Sequence, residues 1–474
     1  MSFFKIPAYF NEKIYLWYKE KEKFNLDKKN LIFLIFLILF LGISLPIFPL
    51  YTTIGVLSVL LILVSFLCED FLLLFLIISF GTSFRIGEGF MPVSFSMIEI
   101  VIYILIFIYF RDIIRVDLKR IVKEPIIFAF IIFLFSRTIF TGIHLQKDPT
   151  HMLSVIRDSI VPIFSLVLSI VLLQKFSIKK ILRGWIAIGI IFAILGIIQS
   201  NTGKFLFLSE EGISERNYFE ILLSGTIGIG QVATGLFGHH NTYSLYLQQI
   251  LLISFVMYLL GEEEIHRISM LLIIGILLIG IFYTFSRGAY VTILFSIILL
   301  MLLYSNKTRI IGFILILLTG ILVIKVIIPN FFIFFEQFET INARIYLWKS
   351  GMKVLENDPT NIIFGVGPGN FMKRAGTLYT AHNVYLLYLV ETGIFVLLTL
   401  FYFIFTWLKH LFVKYKRAKD TWDKILYLGL FTASSGYFFH EIIEHSFGSV
   451  IFLSIYAFWI GIVSQYEYIQ NKTR

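Results

Sequence analysis

The stretch MLLIIGILLIGIFYTFSRGAY, Met270 to Tyr290, decides how the chain is read. The run up to Phe285 carries no charge and approaches the roughly 20 apolar residues that cross a bilayer core. Ser286, Arg287 and Gly288 then interrupt it before apolar sequence resumes. An arginine between two such runs is expensive and therefore usually has a function.

Other runs behave in the same way, among them LIFLIFLILFLGI (Leu31 to Ile43) and IIGFILILLTGILVIKVII (Ile310 to Ile328). The 474 residues are 58% hydrophobic and only 15% charged, far from the composition of a soluble domain. The expected fold is an all-α polytopic membrane protein of about fourteen transmembrane helices. Continuous apolar runs exclude a barrel, whose strands alternate over about ten residues. The net charge of +10 reads as topology, because Lys and Arg concentrate in short breaks between runs. No basic stripe on a soluble domain points to nucleic acid. The lone Cys68 excludes an intrachain disulfide and a thiolate metal site.

The basic breaks at 19–30, 111–124, 174–183, 262–267, 306–309 and 409–420 define the cytoplasmic side. Residues 1–30 form a cytoplasmic arm, and the spans run from 31 to 328 and from 383 to 474. The segments 201–239 and 329–382 fall on the outer face, the second as a small helical cap with helix around Arg344 to Glu356. Expected spans include 31–48, 50–67, 96–110, 125–142, 159–174, 309–328 and 383–408.

Arg287 lies at an outer end of a span, where a single arginine would snorkel to headgroups. Arg137, Arg157 and Arg344 join it at the same boundary, on the side that charge topology does not explain. Guanidinium forks grip phosphate oxygens in pairs, so the set suits an anionic, phosphate-bearing ligand. His382 follows the cap and can exchange a proton near neutral pH, while Asn383 caps the next helix or orients a sugar hydroxyl. HEIIEH, His440 to His445, matches no zinc-protease pattern; His440 and Glu444 are expected on one helical face, in an acceptor-site or helix-packing role. The glycine-rich GVGPG, Gly365 to Gly369, is turn chemistry, without the strand and helix of a nucleotide loop.

Taken together, FSRGAY (Phe285 to Tyr290), NARIYLWKSGMKVLENDP running into FGVGPGNF, AHNVYLLYLVETGIFVLL from Ala381, and GLFGHHNTYSLYL (Gly235 to Leu247) resemble the core of the O-antigen ligase and O-antigen polymerase family of bacterial membrane glycosyltransferases. The resemblance covers roughly residues 230–400. It implies a C-type glycosyltransferase-like fold in the bacterial cytoplasmic membrane, with the site facing the periplasm. It also implies transfer of a glycan from undecaprenyl diphosphate to a hydroxyl, with no cofactor, nucleotide sugar or essential metal. By the same resemblance Arg287 is a diphosphate clamp and His382 the catalytic base. Arg344, with Trp348 four residues on, matches the family's arginine ahead of a tryptophan, although Ile-Asn-Ala precedes it here in place of a serine-rich tripeptide. Substrate contacts are expected from Arg157, Arg344, Arg137, Ser286, Asn383, His240 and Asn241. Expected partners are the lipid-linked donor, an acceptor that is another glycan, lipid A core or a further hydroxyl, and a chain-length regulator protein. Polymerase is the leading expectation, with ligase or protein O-oligosaccharyltransferase as alternatives. A lipid-linked oligosaccharide flippase is the rival of another class.

Overall fold

Pro125 needs no N–H partner in a first helical turn, and it opens an uninterrupted helix that runs to Gly142. The computed structural model containing it describes residues 69–82, 85–86, 95–144, 149–202, 232–237, 239–261, 264–304, 311 and 339–473. The basic arm, the expected spans at 31–48 and 50–67, all of 309–328 but residue 311, Cys68 and most of the 201–239 loop lie outside the described residues.

In chain order the helices are α1 Glu69–Phe80, α2 Met97–Ile108, α3 Phe110–Ile114, α4 Leu118–Ile121, α5 Pro125–Gly142 and α6 Pro149–Lys175. There follow α7 Ile178–Thr202, α8 His240–Leu260, α9 Glu264–Phe282, α10 Arg287–Leu303, α11 Glu339–Asn357 and α12 Thr360–Phe364. The last are α13 Phe371–Ala375, α14 Val384–Thr392, α15 Ile394–Arg417, α16 Thr421–His440 and α17 Val450–Thr473. A two-residue antiparallel ladder joins Arg85–Ile86 to Phe95–Ser96, a small exception to an otherwise helical chain.

Six of the described helices are long and apolar enough to cross a membrane: α5, α6 from Ile156, α7, α8, α15 and α17 up to Ile469. The helices α2, α9 from Arg267, and α10 are apolar but shorter. Their outward residues include Phe107, Leu272 and Leu302, at 75%, 67% and 78% exposure, an apolar surface that suits lipid contact. This is a multi-pass membrane protein.

Three expected spans change shape. The run 96–110 forms only the 12 residues of α2 before Tyr109 ends it, a rise of about 18 Å against a hydrocarbon core of about 30 Å. The run 159–174 starts earlier, at Pro149, so Arg157 sits inside α6. The run 383–408 divides at Gly393 into α14 and α15.

Packing is dominated by α17 against α6, α16 against α8 and α15 against α5. Ser165 Oγ donates to the Ser454 carbonyl at 2.8 Å and Trp407 Nε1 to Ser434 Oγ at 2.9 Å, polar links that tie helices where lipid offers no competing partner. Beneath the 441–449 turn, Phe447 contacts Phe403, Phe438 and Tyr456 with ring centroids 5.3 to 6.0 Å apart. This aromatic floor holds the turn in place.

The break at Gly393 is where the α11–α13 segment docks. Val366 and Gly367 N–H donate to the Val390 and Glu391 carbonyls, both at 2.9 Å. A side chain at Gly393 would strike the Ile363 carbonyl, and one at Gly365 the Glu391 carbonyl. Both glycines have positive φ, 86° and 70°, a region that L side chains resist. Gly393→Val is expected to cost on the order of 2–3 kcal/mol through strain and lost docking. A lower unfolding midpoint in detergent and faster proteolysis near residues 357–382 would show it.

Candidate functional site

His382 is held before its ring is considered. Trp348 Nε1 donates to the Ala381 carbonyl at 2.9 Å, and Asn383 Oδ1 accepts the Leu386 N–H at 2.9 Å to cap α14. The Val384 N–H donates to the Glu441 and Glu444 carbonyls at 3.0 and 2.9 Å. Between these ties His382 adopts a φ of 44°, a strained conformation for a residue with a side chain. Its Nδ1 lies 3.3 Å from Glu444 Oε1.

Glu444 is the residue that sequence reasoning placed wrongly. It was expected on one helical face with His440, but α16 stops at His440 and the chain turns. Glu441 stabilises that turn by accepting the Ser446 and Phe447 N–H groups at 3.2 and 3.1 Å. The turn drives Glu444 inward until its side chain is 3% exposed. Its Oε2 accepts from Asn241 Nδ2 at 2.6 Å, and its Oε1 accepts the His445 N–H at 3.2 Å. His445 Nδ1 lies 3.1 Å from Oε1, and His445 Nε2 meets Thr380 Oγ1 at 3.1 Å. Glu444 and His445 were the functional candidates missed, although the HEIIEH motif that carries them was noticed.

The arginines divide. Ser286 caps α10 by accepting the Ala289 N–H, and Phe285 before it has a φ of 50°, so Arg287 leaves a constrained turn. Gly288 is required because a Cβ there would overlap the His440 ring. Arg287 and Arg344 lie close enough to repel each other, and Arg344 in turn feels the Glu444 charge. Burial lowers the Arg344 pKa below its ordinary value, against the pull of Glu444. Arg157 belongs elsewhere, with Nε 2.8 Å from Glu99 Oε1 and Nη2 3.5 Å from Asp158. Arg137 is 8% exposed and donates from Nη2 to the Gly448 carbonyl at 3.1 Å. His240 opens α8 stacked on His239, ring centroids 4.9 Å apart, and His239 is within electrostatic reach of Glu444.

The structure therefore brings Arg287, Arg344, Asn241, His382, Glu444 and His445 into one connected network. A carboxylate that receives an Nδ1–H from His382 fixes the tautomer and leaves Nε2 as the proton acceptor. Two neighbouring guanidinium groups create a field that a phosphate-bearing ligand would neutralise.

The His445–Glu444 pair makes the turn sensitive to pH. Burial pushes the Glu444 carboxyl up, but hydrogen bonds from His382 and His445 outweigh it and hold it well below the ordinary 4.5. Burial pushes His445 down, yet its hydrogen bond to Glu444 and the nearby carboxylates lift it above the ordinary 6.5. The first contribution is present above pH 4.5 and lost on acidification; the second is present below pH 6.5 and lost as pH rises through the folded value. Glu441, pushed up to about 8 by burial, adds to the alkaline decline. Because the Glu441 contribution already falls above pH 4.5, thermal midpoints in detergent are expected to peak at the lower end of the pH 4.5 to 6.5 window. Glu444→Gln should flatten the acid side and His445→Gln part of the alkaline side.

A search of curated proteins finds no match to this chain. The protein family described as O-antigen ligase matches residues 272–401, a region that holds Arg287, Arg344 and His382 but ends before Glu444 and His445. That match covers 130 of the 474 residues and, with the motifs at both of its ends, supports a likeness to the O-antigen ligase and polymerase family of membrane enzymes.

Proposed function

We propose that this protein transfers a glycan from undecaprenyl diphosphate to an acceptor hydroxyl on the outer face of the bacterial cytoplasmic membrane. The observation that carries the reading is the network linking Arg287 and Arg344, through Glu444, to His382. In this mechanism the acceptor oxygen attacks the anomeric carbon as the bond to the diphosphate oxygen breaks. The electron pair leaves on the diphosphate, where Arg287 and Arg344 stabilise the growing charge. The acceptor proton passes to His382 Nε2, and Glu444 stabilises the imidazolium that forms. Attack opposite the leaving group inverts the anomeric centre.

Polymerisation of lipid-linked repeats is the leading reaction, resting on the span count expected from the sequence. Ligation to lipid A core is the second reading, favoured by the description of the matched family. The deciding experiment is a reconstituted assay with a defined undecaprenyl diphosphate glycan, scored for which acceptor is extended. Movement of the lipid-linked glycan across vesicles with no covalent product would replace both with a flippase.

His382, Glu444 and His445 also bring one potential ligand atom each within 4.8 Å of one another. In the proposed chemistry these positions carry protons, with the two Nδ1 atoms 3.3 and 3.1 Å from a carboxylate that already accepts from Asn241 and the His445 N–H. Transfer is expected to survive exhaustive chelation. Loss of activity with EDTA, restored by one divalent ion, would remove His382 from its role as base.

A further inference from the structure

Lined in part by His445 but not by Glu444 is a cavity of about 250 Å³ that the proposed reaction does not use. Its polar lining includes Arg137, Asp158, Glu391 and His445, and its apolar lining includes Tyr388 and Leu387. It is near the base, because the His382 and His445 rings are 5.0 Å apart centroid to centroid.

Arg137 shows that this is a built site. It is 8% exposed, and while Nη2 is committed to the Gly448 carbonyl, Nη1 has no hydrogen-bond partner. A buried guanidinium nitrogen without an acceptor is costly, so the cavity is arranged for something that supplies one. That ligand is not a second phosphate. Two carboxyl groups, Glu391 and Asp158, share the lining with two basic groups, Arg137 and His445, a balanced set that leaves no net positive field for a dianion. Donors and acceptors mixed over an aromatic wall suit a neutral polyhydroxylated ring, which both gives and takes hydrogen bonds. The volume matches roughly eight waters at ~30 Å³ each, the room for a single sugar ring.

We infer that this cavity is the acceptor-sugar subsite, with Arg137 and Glu391 binding ring hydroxyls so that one neighbouring hydroxyl reaches His382. The inference rests on the glycosyl-transfer reading above and divides the site: the Arg287–Arg344 side takes the diphosphate, and the Arg137–Glu391 side takes the acceptor ring. Glu391 is held in place for a hydroxyl by backbone N–H groups of the 365–371 loop, Phe371 donating to Oε1 at 3.2 Å and Gly369 also bonding the carboxyl.

The test uses the full-length protein in nanodiscs with a defined undecaprenyl diphosphate glycan. The acceptor probe is the oligosaccharide released by mild acid from the host cell's own lipid-linked glycan. Leu387→Trp fills the cavity, and Arg137→Gln removes the waiting donor. Both are expected to raise the acceptor KM at least tenfold and to lower the ratio of transfer to donor hydrolysis by a similar factor. Inhibition by inorganic pyrophosphate should remain competitive with the donor at an unchanged inhibition constant. A transfer-to-hydrolysis ratio at the wild-type value in both variants overturns the assignment, as does a weakened pyrophosphate inhibition, which would place the diphosphate in this cavity. Should one variant fail to fold, judged by its unfolding midpoint, the other decides. Failure of the wider reading looks different: His382→Ala would then keep transfer and hydrolysis alike, whatever the acceptor KM.

Discussion

Replacing His382 with alanine is expected to lower the rate of transfer by about 10²–10⁴-fold, the usual worth of a general base, while leaving the donor bound. The magnitude follows from how much structure fixes one ring. Trp348 and Asn383 secure the chain on either side, the backbone is held at positive φ, and Glu444 meets Nδ1. Alanine would relieve none of that strain, so the fold cost and the chemical cost are separable by using His382→Asn, which tolerates the left-handed region better. Both variants should show similar catalytic loss in kcat with little change in donor KM. Equal losses of folding and activity would point to a structural histidine instead. Glu444→Gln is expected to fall between wild type and His382→Ala, because the base remains but its tautomer and developing charge lose their partner.

Loss of Arg287 is the second large effect. Removing one preformed donor to a developing anion costs about 10²–10³ in rate, and Arg287→Ala is expected in that range. Arg287→Lys should recover little, since an ammonium cannot reproduce the paired geometry of a guanidinium on phosphate oxygens. Arg344 sharpens the test. The two guanidinium groups repel each other without ligand, so deleting one lowers the cost of burying the other. The double variant is therefore expected to lose less than the product of the single losses, and a transfer assay on all four proteins measures that coupling. Independent, multiplicative losses would mean that the two arginines act at separate places.

Much of this was legible in the sequence because lipid imposes a simple rule: backbone groups are satisfied within helices, so long apolar runs declare themselves. The run from Pro125 to Gly142 was read to the residue. Where the rule failed, a local backbone event intervened. Gly393 sits in an apolar run that hydropathy reads as continuous, and only its φ of 86° and the loop packed against it reveal the break. Arg157 looked like a boundary cation because nothing in its neighbourhood announces Glu99, more than fifty residues earlier, as its partner. His382 and Arg287 stood out since each interrupts an apolar context. Glu444 did not, because a helical wheel continued through His440 put it on the wrong face, whereas the chain turns there.

The carboxylate behind His382 comes from outside the region that matches the family, which ends at residue 401. A recombinant fragment limited to that region would keep the histidine and the arginines yet lose half of the proposed proton relay. The converse experiment is more informative: exchanging residues 421–473 between relatives would transplant the relay's acidic member while keeping the donor clamp. In such chimaeras, acid–base tuning and lipid-carrier binding should segregate as separate traits.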